Sequence, residues 1–240
     1  MSGVDEHYAR LLAPIYAWML GGPEQAFAAG ASDLEGLLPE GSLAVDLGGG
    51  FGTHAIPLAR RGWTVLSIDS SPELTAGLER HAAGLPVRAI SGELLDFGRH
   101  LPAGAAAQLI LCMGDTLTHL PDRSSVAVLA QRVAASLAKG GRFIATFRDY
   151  SRPPEGLGRF IPVRSDEDRI LTCFLEAGID HVTVHDLLHE KRAGQWALTA
   201  SAYRKLRIAP EEVRGHFAAA GLRASLGAAA RGMVRLVADA

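Results

Sequence analysis

The feature that most constrains this chain is a glycine-rich loop between two short apolar stretches, residues 43–47 and 63–68. The loop has glycine at alternate positions, Gly48, Gly50 and Gly52. Glycine reaches positive φ angles and lets a ligand approach the backbone closely. Residues 53–61 predict a short helix, whose free N–H groups face the loop. The pattern predicts strand, glycine loop, helix and strand, which is typical of an α/β fold.

Two acidic residues frame this loop. Asp46 lies just before the glycines and Asp69 ends the second stretch. A carboxylate at the end of that strand can accept hydrogen bonds from both hydroxyls of a ribose. The residues Gly50 to Ala55 also satisfy the dinucleotide-binding pattern G-x-G-x-x-A. An acid at Asp46 favours a ligand with an ammonium group over one with a pyrophosphate.

The order of an acid, three spaced glycines, a helix and a second acid resembles the S-adenosylmethionine (SAM) site of class I methyltransferases. This resemblance covers residues 40–150 well and 209–240 loosely. It implies a doubly wound α/β fold with a mostly parallel seven-stranded sheet, helices on both faces and an antiparallel final strand. It also implies SAM as cofactor and S-adenosylhomocysteine as product.

The implied activity is methyl transfer to nitrogen or oxygen of a small molecule, with nitrogen slightly favoured because short stretches are similar to the glycine and sarcosine N-methyltransferases. Two other hypotheses stay open: an NAD(P)-dependent oxidoreductase, and a protein that binds SAM without turnover.

The resemblance implies cofactor contacts from the glycine loop, the ends of the next strands and the N-terminal aromatic residues. These candidates are Asp46, Gly48, Gly50, Gly52, His54, Asp69, Ser70, Glu93, Leu94, Met113, Gly114, Tyr16 and Trp18. Glu93 is the first choice for the acid that accepts the adenine amino group, and Asp96 is the alternative.

The candidate catalytic residues follow the fourth and fifth predicted strands, residues 105–113 and 142–148. Ligands of open α/β sheets bind at the carboxyl ends of strands, which places Asp115, His119 and Tyr150 beside the substrate. Histidine can titrate near neutrality and remove a proton from a nucleophile. Alternatively, His119 only caps backbone groups near a helix start.

The chain divides into three predicted parts. Residues 1–40 form a helical lid that Pro14 interrupts, and Gly21 and Gly22 supply a hinge. Residues 41–158 and 209–240 form the SAM-binding domain, in which Lys139, Gly140 and Gly141 end a helix. Residues 159–208 form an antiparallel β insertion after the fifth strand, which contributes to the substrate pocket.

Composition narrows the class of protein. The net charge of −2 offers no general attraction to nucleic acid or a membrane, and no run approaches the roughly 18 apolar residues of a membrane span. Neighbours among His181, His185 and His189 would lie about 13 Å apart on one strand, so no metal site is expected. We therefore expect a cytoplasmic enzyme, monomeric or homodimeric, that acts on a small molecule.

Overall fold

The computed structural model describes residues 3–240, apart from the side chain of Asp5; residues 1 and 2 of the predicted lid lie outside the described residues. The helices are α1 Gly3–His7, α2 Ala13–Met19, α3 Pro23–Asp33, α4 Ala55–Arg60, α5 Pro72–His81, α6 Arg123–Ser136 and α7 Pro210–Ala219. The strands are β1 Leu43–Leu47, β2 Thr64–Asp69, β3 Val87–Ser91, β4 Ala107–Cys112, β5 Leu137–Phe147, β6 Phe160–Ser165, β7 Arg169–Ala177, β8 His181–Arg192, β9 Gln195–Leu206, β10 Arg223–Ala228 and β11 Val234–Asp239.

The main sheet has the order β10-β11-β5-β4-β1-β2-β3. Strands β1 to β5 pair in parallel, whereas β11 is antiparallel to both β5 and β10. The chain order turns between β1 and β4, and this turning point opens a crevice at the carboxyl ends of the strands. The predicted seven-stranded, mostly parallel sheet with an antiparallel last strand is confirmed.

Helices cover both faces of this sheet because the buried strands carry apolar residues on each side. On one face, Val126 of α6 and Phe217 of α7 pack into a core with alternate residues of the central strands. On the other face, Phe27, Ile56 and Leu78 bring α3, α4 and α5 into a second core. These two cores fix the strand ends that form the crevice.

Strands β6 to β9 form a separate four-stranded antiparallel sheet after β5, which confirms the predicted insertion. Its inner face packs against the N-terminal segment: Leu171 and Leu188 of the insertion meet Leu11, Leu12 and Ile15. Burial of each such side chain contributes roughly 1.5–3 kcal/mol. The N-terminal segment therefore lies between the insertion and the glycine loop. No helix of residues 3–240 is long and apolar enough to cross a membrane.

Two boundary predictions need correction. The α-helix is interrupted before Pro14, but by a wider π turn at Tyr8–Leu12, so the chain stays helical from α1 to α2 and Pro14 occupies the first turn of α2. Lys139, Gly140 and Gly141 do not end a helix, because α6 ends at Ser136 and these residues lie within β5. The pairing of β4 and β5 shifts register there, and Gly140 takes a φ of +75°, so the glycines form an irregularity in the strand.

Candidate active site

The glycine loop after β1 needs its glycines for different reasons. All three have positive φ angles: +69° at Gly48, +55° at Gly50 and +104° at Gly52. A Cβ at Gly48 would lie 2.4 Å from Thr116 Cγ2, and one at Gly52 would lie 2.6 Å from Leu78 Cδ1. A Cβ at Gly50 would meet nothing closer than Tyr16 Cε1, at 3.8 Å. Gly50 therefore faces open space beneath the Tyr16 ring.

Asp69 is tied to this loop at the end of β2. Its Oδ2 accepts a hydrogen bond from the Gly50 N–H at 2.9 Å, and its Oδ1 accepts one from the Ser71 N–H at 2.9 Å. These bonds hold the carboxylate beside the open space at Gly50. Ser70 follows directly, at the start of the turn into α5.

Asp46 lies beneath the loop and is only 1% exposed. Its Oδ2 and the Ser67 hydroxyl have no hydrogen-bond partner among the described residues. Burial, with a smaller contribution from Asp69, raises the pKa of Asp46 to about 6, and His54 acts in the opposite direction. A buried carboxylate oxygen without a partner costs free energy unless a ligand pairs with it.

His54 begins α4 and contacts α3. Its Nε2 lies 3.4 Å from Asp33 Oδ2, and hydrogen bonding to His54 lowers the pKa of Asp33. The Arg231 guanidinium lies 3.8 Å from the same carboxylate oxygen. His54 is thus tied to α3 through Asp33, and its predicted contact with the cofactor stays a prediction.

The two acids proposed for the adenine differ in their surroundings. Asp96 pairs with Arg132 at 3.0 Å and with Arg99 at 3.3 Å. Glu93 is exposed and does not cap the helical turn that follows it, while Leu94 packs against the core. Among the described residues, arginines engage the carboxylate of Asp96 and not that of Glu93, which favours Glu93.

The two aromatic residues predicted to contact the cofactor point to different places. Tyr16 lies over the glycine loop, with its ring 5.8 Å from that of Phe51, and burial and Asp69 raise its pKa to about 12. The Trp18 indole N–H donates to Asp166, and the Arg169 guanidinium stacks 4.4 Å from its ring. Trp18 therefore joins the N-terminal segment to the insertion, which argues against its predicted contact with the cofactor.

Asp115, after β4, is the centre of a buried hydrogen-bond network. Its carboxylate accepts from the Thr118 hydroxyl at 3.0 Å, the Arg148 N–H at 2.8 Å, the Tyr150 phenol at 3.0 Å and the Lys205 ammonium. Asp115 and Lys205 are 5% and 6% exposed. The network holds Asp115 at a φ of +74°, a strained value for this residue. Its oxygens are thus engaged in positioning the loop.

The residues before Asp115 are positioned by their backbone groups. The Gly114 N–H donates to the Thr146 hydroxyl at 2.9 Å, and the Thr116 hydroxyl donates to the Met113 carbonyl at 2.8 Å. Gly114 has a φ of +71°, so the chain turns sharply at the end of β4. The side chain of Thr116 also lies against Gly48 of the glycine loop. Its neighbours Met113 and Gly114 therefore lie beside that loop.

His119 lies at the end of the loop, between two tyrosines. Its ring stacks 5.4 Å from Tyr203 and meets the Tyr8 ring edge-on at 5.9 Å. Its Nδ1 is buried and has no partner within the described part of the chain. Burial, with the nearby Lys205 ammonium, lowers its pKa well below the usual value. The imidazole is therefore neutral at physiological pH.

The sequence analysis missed the residues that approach this loop from the lid and the insertion. His7 is 1% exposed, its Nε2 lies 2.8 Å from Asp186 Oδ2, and its ring lies 4.4 Å from that of Tyr203. Lys205 reaches Asp115 from β9. The only signal in the sequence was the inward-facing alternation of the insertion strands, which marks Tyr203 and Lys205 less clearly than a motif would.

The residues at the crevice fit the predicted cofactor. The unpaired Asp46 oxygen suits the ammonium of the methionine moiety, and the Gly50 space lies beside the ribose acceptor Asp69. Neither feature suits a pyrophosphate, since both nearby side chains are acids. The arrangement can hold a nucleoside with a cationic tail.

Comparison with known proteins agrees with this geometry. Residues 44–141 match a methyltransferase domain family. The chain is 27% identical over 195 residues to a cypemycin N-terminal methyltransferase from Streptomyces sp. This alignment covers 73% of this chain and 75% of that protein.

Solved structures share the fold. DesVI from Streptomyces venezuelae has a TM-score of 0.78 at 17% identity, with 94% of this chain and 97% of that chain covered. SAM-bound CalS10 from Micromonospora echinaspora, an amino pentose methyltransferase, has a TM-score of 0.71 at 18% identity, with 93% and 94% covered.

Proposed function

From the match of residues 44–141 to a methyltransferase domain family and the geometry of the site, we propose that this chain is a class I SAM-dependent methyltransferase that methylates an amine nitrogen of a small molecule and releases S-adenosylhomocysteine. When bound, SAM supplies an electrophilic methyl group on a sulfonium. The protein has to align the nucleophile with that methyl group and exclude water.

The observation that carries the choice of nitrogen is the setting of His119. Its pKa is held well below the usual value, so it is a weak base. A neutral amine is nucleophilic without a strong base, whereas an alcohol must lose a proton of far higher pKa. The phenols of Tyr8 and Tyr203, with pKa values raised chiefly by burial, do not ionise to supply that base.

The tyrosines around His119 also suit an amine that enters the site in its protonated form. Tyr8 lies 6.2 Å from Tyr16 and 6.4 Å from Tyr203, ring centre to ring centre. Aromatic faces attract an ammonium group, and burial lowers the pKa of an ammonium that enters. His119 Nδ1, which has no partner among the described side chains, can then accept its proton.

We assign the cofactor contacts by chemistry. Asp46 pairs with the methionine ammonium, Asp69 accepts from the ribose hydroxyls and Glu93 accepts from the adenine amino group. Tyr16 covers the glycine loop from the lid, residues 1–40, and the insertion, residues 159–208, closes the acceptor side.

In the reaction the nitrogen lone pair forms the N–C bond and the C–S electron pair returns to sulfur. The proton of the product ammonium leaves to His119 or to water.

One similar protein is named a cypemycin N-terminal methyltransferase, and another an amino pentose methyltransferase, whose sugar carries an amine. They suggest two acceptor classes, the N-terminus of a peptide and an amino sugar. His119 and its tyrosines lie between the lid and the insertion, so these two parts would select between the classes.

The test offers matched acceptors with SAM that carries a deuterated methyl group. The pairs are glucosamine with glucose, and alanyl-alanine with lactyl-alanine, and the product is located by mass spectrometry. We expect label on nitrogen only, in at least one pair, and none with the Asp69→Ala variant. Label on oxygen would overturn the assignment of nitrogen. Binding of SAM with no transfer to any acceptor would favour a protein that binds the cofactor without turnover.

A further inference from the structure

His7 and Asp186 form a buried pair that the proposed mechanism does not use. They come from the lid and from β8, and their side chains are 0% and 2% exposed. Asp186 Oδ2 meets His7 Nε2 at 2.8 Å, while His7 Nδ1 is buried with no partner among residues the structure describes. An unpaired polar atom in such a place calls for a ligand group.

The pairing fixes which hydrogen bond that atom can make. A carboxylate only accepts, so His7 Nε2 carries the hydrogen and, in the neutral ring, Nδ1 is a bare acceptor. The group that meets Nδ1 must therefore be a donor. The Tyr203 ring lies 4.4 Å from the His7 ring and 5.4 Å from the His119 ring. Tyr203 therefore lies between His7 and His119, the residue proposed to take up the proton.

We propose that His7 Nδ1 receives a hydrogen bond from a second group of the methyl acceptor, so that the preferred substrate is an amine that also carries a hydroxyl or amide N–H. This inference rests on the proposed function for the position of the amine. His7 is then a specificity residue, and Asp186 is the positioning residue that sets its tautomer.

Cys173 makes the tautomer testable. Its thiol donates to the other oxygen, Asp186 Oδ1. In an Asp186→Asn variant the amide oxygen stays with the thiol, so the amide N–H₂ turns to His7 Nε2. That nitrogen must then accept, and the hydrogen moves to Nδ1. The variant converts Nδ1 from an acceptor into a donor with almost no change of shape.

The kinetic test uses three amines of each chain length from two to six carbons. The first is an amino alcohol, whose hydroxyl can donate a hydrogen bond. The second is its methyl ether, whose oxygen can only accept one. The third is the n-alkylamine in which a methyl group replaces the hydroxyl. At the best length we expect the wild type to favour the amino alcohol over the alkylamine by about tenfold or more in kcat/KM. His7→Phe should lose this preference, and Asp186→Asn should favour the methyl ether.

Cys173→Ala serves as the matched control, since it leaves Asp186 a carboxylate and should keep the wild-type preference. Thermal unfolding establishes that each variant is folded. If His7→Phe lowers kcat/KM by the same factor for all three amines, His7 is only structural and the proposal is wrong. It is also wrong if Asp186→Asn keeps the wild-type order.

A second readout does not depend on turnover. Nitrogen-15 NMR of the complex with S-adenosylhomocysteine should show His7 Nδ1 unprotonated in the wild type and protonated in Asp186→Asn. The amino alcohol should shift the wild-type Nδ1 resonance and the alkylamine should not. If no amine is methylated but Nδ1 still responds, the proposed function fails and this contact stands. If amines are methylated but the amino alcohol does not shift the Nδ1 resonance, the proposed contact with His7 is wrong.

Discussion

Asp46 links SAM binding to pH, because its pKa in the ligand-free protein is about 6. Burial is the main cause, Asp69 adds to it, and His54 opposes it. An ammonium group placed on the unpaired Oδ2 favours the ionised carboxylate. Binding at low pH therefore requires Asp46 to lose its proton first. We expect SAM affinity to be highest near pH 7, between the pKa of Asp46 and that of the SAM ammonium, and to fall about tenfold per pH unit well below pH 6.

The same pKa makes a prediction for stability. The folded value of about 6 lies above the unfolded value of about 3.9, so the native state holds the proton more tightly. The contribution of Asp46 to the free energy of unfolding of the ligand-free protein, measured as the difference between wild type and Asp46→Asn, should fall by about 3 kcal/mol as pH rises from about 3 to 7, with most of the change between pH 4 and 6. Asp46→Asn removes the titrating group and leaves only the pH dependence of the other groups, so a difference between the two proteins that does not change with pH would contradict the assignment.

Calorimetry at several pH values measures the affinity, and two buffers of different ionisation enthalpy count the protons. Near pH 5.5 the wild type should release about three-quarters of a proton per SAM bound, since Asp46 with a pKa of about 6 is protonated to that extent, and Asp46→Asn should bind weakly with no such release. Wild-type affinity that is unchanged from pH 7.5 to 5 would refute the argument. So would an Asp46→Asn variant that keeps the pH dependence.

Three further predictions follow from the site. Asp69→Ala should weaken SAM binding by about 100-fold or more in calorimetry, since two charge-assisted hydrogen bonds to the ribose are lost; near wild-type affinity would overturn the ribose assignment. His119→Asn should leave the SAM Kd within about twofold while kcat falls about 100-fold in a steady-state assay, and loss of SAM binding instead would move His119 into the cofactor site. Lys205→Met should lower the free energy of unfolding by about 3–5 kcal/mol in urea, because it leaves Asp115 as an unpaired buried charge, and the double variant with Asp115→Asn should recover most of it; purely additive losses would contradict this coupling.

Local rules predicted the main domain well. The first strand was placed at its observed bounds, Leu43–Leu47, because an apolar run that ends in glycines has few other conformations. The helix at Pro72 was also found, since Ser71 caps it and Pro72 occupies its first turn. Failures came where tertiary contacts decide, as in the irregular start of β5, where Gly140 and Gly141 lie opposite β4.

The acceptor side of the site was harder to predict. His7 and Asp186 are 179 residues apart, and Lys205 and Asp115 are 90 apart. The first pair depends on the position of the insertion over the lid, and the second on its position over the loop after β4, and no local pattern encodes either position. Trp18 illustrates the same limit, because the sequence marks it as an aromatic residue of the lid but does not tell which side of the helix meets the insertion.

The measurement that tests the account most directly is parallel calorimetric titration of the purified protein with SAM, S-adenosylhomocysteine and NADH. The account predicts micromolar binding of SAM and S-adenosylhomocysteine and no binding of NADH. Binding of NADH alone would contradict it, because the glycine loop would then hold a pyrophosphate and the roles of Asp46, Glu93 and His119 would no longer apply.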